Sequence, residues 1–380
     1  MSVNLRQHFT GQLESMVQTL TDLVLIEAPT HEKAAVDEVG ARLKNDLREM
    51  NAALPIHRRS EVGDIIEASW NADRPGRPIV ILCHMDTVHP IGSLARNPVR
   101  VEDGQFYGPG AYDMKGGIVA ALYALKGLIA HDLLPNRPVY FLLTSDEETG
   151  SENSRDLIIE KATGAALVLV MEPAMPDGSV KTWRKTVGSF NVRTIGKASH
   201  AGGAHEVGIN AIEEMAHQVL ALQRLTDYKR GSTVSVGMAA GGTARNTVPD
   251  QCEASIDCRA LTVEEVERMT QAILGLKPVL PGAKVEVIGG FDRPPMERNE
   301  QMIRTFEQAK EIAGRYGVTL RESGTGGASD GNYTAGIGTP TLDGLGPTGD
   351  GAHSERENIT IPSLAISATQ IAALVAEWGE

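Results

Sequence analysis

The sequence lacks the features that mark several whole classes of protein. Cysteine is scarce: Cys83, Cys252 and Cys258 are the only three in 380 residues, and none forms a CxxC pair. An odd, widely spaced set does not make a disulfide framework, so a reducing compartment is expected. No apolar run approaches the length of about 20 residues that spans a bilayer. The opening MSVNLRQHFTGQLESMVQTL has no basic start followed by an apolar stretch, so no secretory signal is expected. Basic residues are outnumbered, 36 Lys and Arg against 49 Asp and Glu, giving a net charge of −13. That balance argues against nucleic acid or an anionic membrane as partner. There is no GxxxxGK[ST] phosphate loop. Internal repeats and low-complexity segments are absent too. The charge decides nothing about small substrates, and a soluble, cytoplasmic protein is the default expectation.

What is present is a long α/β pattern. At 41% hydrophobic and 22% charged, the chain can bury a sizeable core, as two domains or one large domain with an insertion. Leu13, Met16, Val17, Leu20 and Val24 fall at helical spacing, and a second helix is expected over roughly 33–49. The runs PIVILCHMD (78–86), PVYFLLTSDEE (138–148) and LVLVMEP (167–173) read as buried strands ending in polar residues, with a small-residue helix over 116–131 between the first two. Strands alternating with helices predict a mixed, mostly parallel sheet flanked by helices. From 187 to 291 the texture changes to strand, helix, two strands, helix, strand. That order predicts a smaller α+β (βαββαβ) domain inserted into a larger one formed by 1–186 and 292–380.

The polar strand ends carry the chemistry. In His84-Met85-Asp86, alternation puts His84 and Asp86 on one face and Cys83 and Met85 on the other. Alone, that pair also reads as a solvated strand end; as a metal ligand, His84 gains a carboxylate able to accept its second ring N–H. Asp113 sits in GPGAYDMKGG just before a helix, where tight backbone suits a carboxylate shared by two cations. Glu147 and Glu148 close the 138–148 run, and Glu172 ends the 167–173 run. Consecutive acids there are costly unless water, cations or partners neutralise them. His353 follows the glycine-rich GLGPTGDG. Each of these residues has an ordinary surface reading. Together, His84, Asp113, Glu148, Glu172 and His353 form an N/O set for two divalent ions, all but His353 near the strand ends where open α/β sheets bind ligands. His200, in KASHAGG, and Asn246, Arg259 and Arg293 read by default as surface groups, and each arginine is able to clamp a carboxylate.

In this order HMDTV, GPGAYDMKGG, TSDEETGS, MEP, KASHAGG and GAHSE resemble the zinc aminoacylase and carboxypeptidase family, from about residue 78 to about 360. That family includes desuccinylases, acetylornithine deacetylases and bacterial glutamate carboxypeptidases. KASHAGG with Gly208-Ile209-Asn210-Ala211, and Ser323 to Asp330, look closest to the glutamate carboxypeptidase branch. The resemblance implies that His84, Asp113 and Glu172 hold one metal, and that Asp113, Glu148 and His353 hold the other. The metals would be two Zn2+, with Co2+ or Mn2+ also compatible with the ligand types. It further implies that Asp86 orients His84, that Glu147 is the general base, and that His200 serves the partner subunit of a homodimer. Asn246, Arg259, Arg293, Gly326 and Gly327 are the implied substrate-binding positions. Glu172 stands where some members carry Asp, a choice that does not fix the substrate.

The expected activity is hydrolysis of an amide bond beside a free carboxylate, in a peptide or N-acyl amino acid. Two alternatives stay open: an acetylornithine deacetylase or desuccinylase, and a metal-free binding protein that keeps the fold.

Overall fold

The structure is a computed structural model and describes residues 4–379. The chain divides into two compact units. The large unit takes the chain up to Thr182, Arg298–Gly324, and the chain from Ser329 onward. The small unit is Trp183–Glu297 with Thr325–Ala328.

Period-two alternation builds the large unit. In the strand Ile79–His84, Ile79, Ile81 and Cys83 enter one hydrophobic core, and Val80 and Leu82 enter another on the opposite face. Val139–Thr144 and Leu167–Val170 divide the same way: Phe141, Leu143, Leu167 and Leu169 face the first core, while Leu142, Val168 and Val170 face the second. Strands buried on both faces need cover on both. The first core is closed by helices that include Leu13–Val24, Lys33–Glu49, Gly116–Ala130 and Ile361–Glu377. Arg155–Ala162 closes the second, with Tyr333 from a short helix. Full burial of each such Val, Leu or Ile side chain is worth about 1.5–3 kcal/mol before entropy is charged.

The sheet has eight strands and is mixed. Its parallel part is the run Val139–Thr144, Ile79–His84, Leu167–Val170 and Thr341–Asp343. Ile65–Trp70 and Val180–Arg184 flank it antiparallel. Because the central strands are parallel, their C-terminal ends share one edge, and His84, Asp86, the Glu147–Glu148 turn and Glu172 all follow those ends. The two-sided burial of Ile65–Trp70 removes the alternation that would have marked it in the sequence.

The small unit is an antiparallel sheet of Thr233–Gly241, Gln251–Ala260, Thr186–Ile195 and Lys284–Phe291, in that spatial order. Its core joins Phe190, Val192, Cys252, Ala254, Ile256 and Cys258 to Met215 and Leu222 of helix Ala211–Gln223 and Met269 and Ile273 of helix Val263–Leu274. The other face of the sheet carries Asn191, Arg193, Glu253, Asp257 and Arg259. The units meet in sequence at Thr182/Trp183 and Glu297/Arg298, a few residues outside the expected 187–291, and Thr325–Ala328 belongs with the small unit.

Candidate metal centre

Two triads of side chains form at the sheet edge and share one member. His84, Asp113 and Glu172 form the first, and Asp113, Glu148 and His353 the second; within each, one ligand atom per residue lies within 4.8 Å of the others. Asp113 presents a different oxygen to each triad: Oδ1 lies 3.3 Å from His84 Nε2, and Oδ2 lies 3.4 Å from His353 Nε2. His84 Nε2 is also 3.5 Å from Glu172 Oε1, and His353 Nε2 is 3.4 Å from Glu148 Oε2. A tetrahedral cation with bonds of about 2.0–2.1 Å holds its ligand atoms about 3.3 Å apart, so the spacing matches the edge of such a site.

The satisfaction of polar atoms points the same way. Among the described residues, eight buried side-chain N or O atoms have no hydrogen-bond partner, and three of them are His84 Nε2, Asp113 Oδ1 and Glu148 Oε1. Orphaned groups of this kind cost about 1–3 kcal/mol each, and here they converge. His84 Nδ1 lies 3.0 Å from the carbonyl oxygen of Asp86. A carbonyl only accepts, so Nδ1 carries the proton and Nε2 is left to offer a lone pair. An imidazole and carboxylate set of this kind suits Zn2+, Co2+ or Mn2+.

The ionisable groups of the two triads shift one another. Burial alone would lower the His84 imidazole, but Asp113, Asp86 and Glu172 outweigh it and raise the group well above its ordinary value. His353 is pushed up to about 10, first by Asp113 and then by Glu148. Burial opposes ionisation of Asp113, yet the two imidazoles hold its carboxyl far below the usual range. Glu147 is raised well above its ordinary value, by burial first and then by the charges of Glu172 and Asp330.

Local backbone explains how these groups meet. His353 itself has φ 61°, a left-handed conformation costly for a non-glycine residue, in a turn that begins at Gly351. Gly117 opens the helix behind Asp113 where a Cβ would stand 2.1 Å from the Met171 carbonyl oxygen, so only glycine admits the chain beside Glu172.

Asp86 is fully buried and bonds beyond His84. Its carboxylate lies 3.5 Å from His84 Nδ1, farther than its own carbonyl. It accepts from Thr30 Oγ1 at 2.7 Å and from the backbone N–H groups of Glu147 and Glu148 at 3.3 and 3.2 Å. It therefore aims the acidic turn as well as the histidine. Cys83 packs in the first core with Met85, and burial pushes its thiol well up, which gives a cysteine nucleophile no support.

The remaining expected residues lie on the small unit. His200 is exposed, and its Nδ1 accepts from Gly202 N and Gly203 N at 3.1 and 3.0 Å, so the ring proton sits on Nε2. Asn246 is beside it, its carbonyl accepting from Ala201 N at 3.0 Å. Arg259 donates to both carboxylate oxygens of Asp257 at 2.9 Å on the open face of the sheet. Arg293 is buried and donates to Asp292. Gly326 and Gly327 are exposed, with the Gly327 carbonyl accepting from Arg184. One residue that motif reading passed over is Glu357, fully buried and bonded to the backbone around Asp113. It is four positions past His353, beyond the recognised GAHSE.

The sequence matches the model of peptidase family M20/M25/M40 over residues 80–377. Carboxypeptidase G2 of Pseudomonas sp. (strain RS-16) is 31% identical, over 98% of this chain and 91% of that protein. Succinyl-diaminopimelate desuccinylase of Verminephrobacter eiseniae is 29% identical, over 80% of this chain and 79% of that one. Among solved structures, aminopeptidase PepT of Bacillus cereus superposes with a TM-score of 0.79 at 24% identity, covering 96% of this chain and 98% of that one. The YXEP protein of Bacillus subtilis, a dinuclear metal binding peptidase from the M20 family, gives 0.71 at 17% identity, covering 97% and 98%. These two likenesses show the fold, and the family match and the full-length relative show the lineage: the chain belongs to peptidase family M20/M25/M40 and is a hydrolase.

Proposed function

We propose that this hydrolase uses two divalent cations, Zn2+ by preference, to cut a peptide or amide bond beside a free carboxylate, as a carboxypeptidase of the glutamate carboxypeptidase type. The observation that carries the reading is the pair of triads sharing Asp113, with buried atoms left unpartnered in both. The likeness to carboxypeptidase G2 supports the choice of substrate class.

In this reading His84, Asp113 and Glu172 hold one cation, and Asp113, Glu148 and His353 the other. When bound, the pair supplies Lewis acidity and brings the pKa of water from about 15.7 toward about 7. Glu147, whose carboxyl burial holds well above its ordinary value, takes the proton of the attacking water and returns it to the departing amine. Asp86 keeps His84 and the Glu147–Glu148 turn aimed. His200, with its proton on the outward Nε2, donates to the developing oxyanion of the partner subunit. Asn246, Arg259, Arg293, Gly326 and Gly327 bind substrate, the arginines through its carboxylate.

The small unit serves as lid and dimerisation domain. Thr233–Gly241 is an edge strand with Met238 70% exposed, beside a helix that exposes Leu220 to 59%. An open edge beside exposed apolar side chains supports pairing with a second copy, hence a homodimer. The three free, buried cysteines support a cytoplasmic setting, and no helix of the described residues is long and apolar enough to cross a membrane.

The test is a hydrolysis screen of zinc-loaded protein on acyl-glutamates and dipeptides, against acetylornithine, succinyl-diaminopimelate and neutral N-acyl amino acids. Turnover of acyl-glutamates, abolished by chelation, is the expected result. Turnover of the N-acyl amino acids alone favours the deacylase reading, which the desuccinylase relative supports. No hydrolysis and no bound metal after loading leaves a binding protein.

A further inference from the structure

The groups around Asp113 differ in how they are satisfied. Asp113 and Glu148 each keep a buried oxygen without a partner. Glu357, fully buried beside them, has none to spare. Its Oε1 accepts from Tyr112 N at 2.9 Å and Asp113 N at 2.8 Å. Its Oε2 accepts from Gly110 N at 3.0 Å and contacts His89 Nε2. Its own carbonyl accepts from Gly108 N at 3.2 Å. With both carboxylate oxygens doubly engaged, Glu357 is not a ligand for anything else.

We infer that Glu357 is a positioning residue for the shared cation ligand, clamping the Gly108–Asp113 backbone to the segment that carries His353. This rests on the two-cation reading above. The geometry makes the case. Asp113 must aim Oδ1 at one triad and Oδ2 at the other, which a loose glycine-flanked loop does not do by itself. Three backbone N–H groups gathered on one carboxylate fix the loop at three points. The clamp also sets spacing: Glu357 lies in the same turn region as His353, so the bonds that hold Asp113 hold it relative to its partner in the second triad. Tyr112 extends the clamp, donating its hydroxyl to Ala174 O at 2.6 Å, two residues from Glu172. Buried Lys115 supplies positive charge within electrostatic reach of Glu357 and donates to Ile26 O at 2.7 Å. Thus one carboxylate outside both triads holds the backbone of Asp113 directly, next to Tyr112, whose hydroxyl reaches the segment after Glu172. Replacing it by an amide puts N–H donors against N–H donors and leaves part of the loop unheld.

The experiment is zinc titration of the metal-free protein against a chromophoric chelator. It is run on the native chain, Glu357→Gln and Glu357→Asp, with kcat, KM and the metal-free melting temperature measured alongside. The native chain is expected to take two equivalents. Glu357→Gln should weaken at least one of them about 10–100-fold, the range for groups that support metal ligands, and lower kcat with little change in KM. Glu357→Asp, which keeps the charge one methylene short, should fall between the two. A lowered metal-free melting temperature with native zinc affinity and kcat would mean a structural role only and would overturn the inference. If Glu357→Gln does not fold, Glu357→Asp decides by the same criteria: weakened zinc binding supports the clamp, native binding rejects it. A native chain that binds no zinc rejects the two-cation reading itself, an outcome distinct from native binding with unaffected variants.

Discussion

Glu265 and Glu214 of the small unit are treated in the opposite way to Asp113 and Glu148 of the large one. In the small unit, Glu265 accepts from Arg268, Arg230 and Ser232, and Glu214 accepts from Val279 N, Leu280 N and Gln218. Those bonds hold both carboxyls below their ordinary values, Glu265 at about 2. In the large unit, Asp113 and Glu148 keep buried oxygens that no protein donor reaches. The contrast separates two uses of a buried carboxylate. One that is complete within the fold stabilises it, whereas one left incomplete at the end of parallel strands is a site.

The sharpest way to break this contrast is to replace the proposed base beside the incomplete pair. Glu147→Gln should lower kcat about 10²–10⁴-fold while metal content stays native; a smaller loss would take the base role from Glu147. Zinc loading comes next. At 100 times its dissociation constant it should stabilise the protein by about 2.7 kcal/mol in urea unfolding, and Asp113→Asn should reduce that gain.

Glu265→Gln should do the reverse, costing about 2 kcal/mol of stability without changing zinc stoichiometry. Its sign with pH follows from the lowered value. The stabilisation is complete above the ordinary carboxyl pKa of 4.5 and is lost as pH falls toward about 2. Native protein should therefore lose this stability below about pH 5, and the variant should lack that part of the acid transition, as read by denaturation at several pH values. The smallest effect belongs to Arg259. Its exposed pair with Asp257 should be worth at most about 1 kcal/mol, so Arg259→Ala should raise KM for a carboxylate substrate far more than it alters unfolding.

Much of the large unit could be read from the chain because its signals are local. The alternation in Ile79–His84 placed His84 opposite Cys83, and the structure keeps that division between two cores. The strand-terminal acids were legible because polar residues closing apolar runs are conspicuous. What escaped depends on contacts between distant segments. Glu357 acts on backbone 244 to 247 positions earlier, and no local pattern signals such a bond. Asp86 looked like a partner for His84 alone, since alternation gives the face but not the additional hold on Glu147 N and Glu148 N. Ile65–Trp70 is buried on every residue, which erases the period that marks a strand.

The shared role of Asp113 is tested most directly by elemental analysis of metal per chain after zinc loading and dialysis. The account predicts two zinc ions in the native protein and at most one in Asp113→Asn, with the fold retained. A native chain without metal, or an Asp113→Asn protein that keeps both ions, would contradict it.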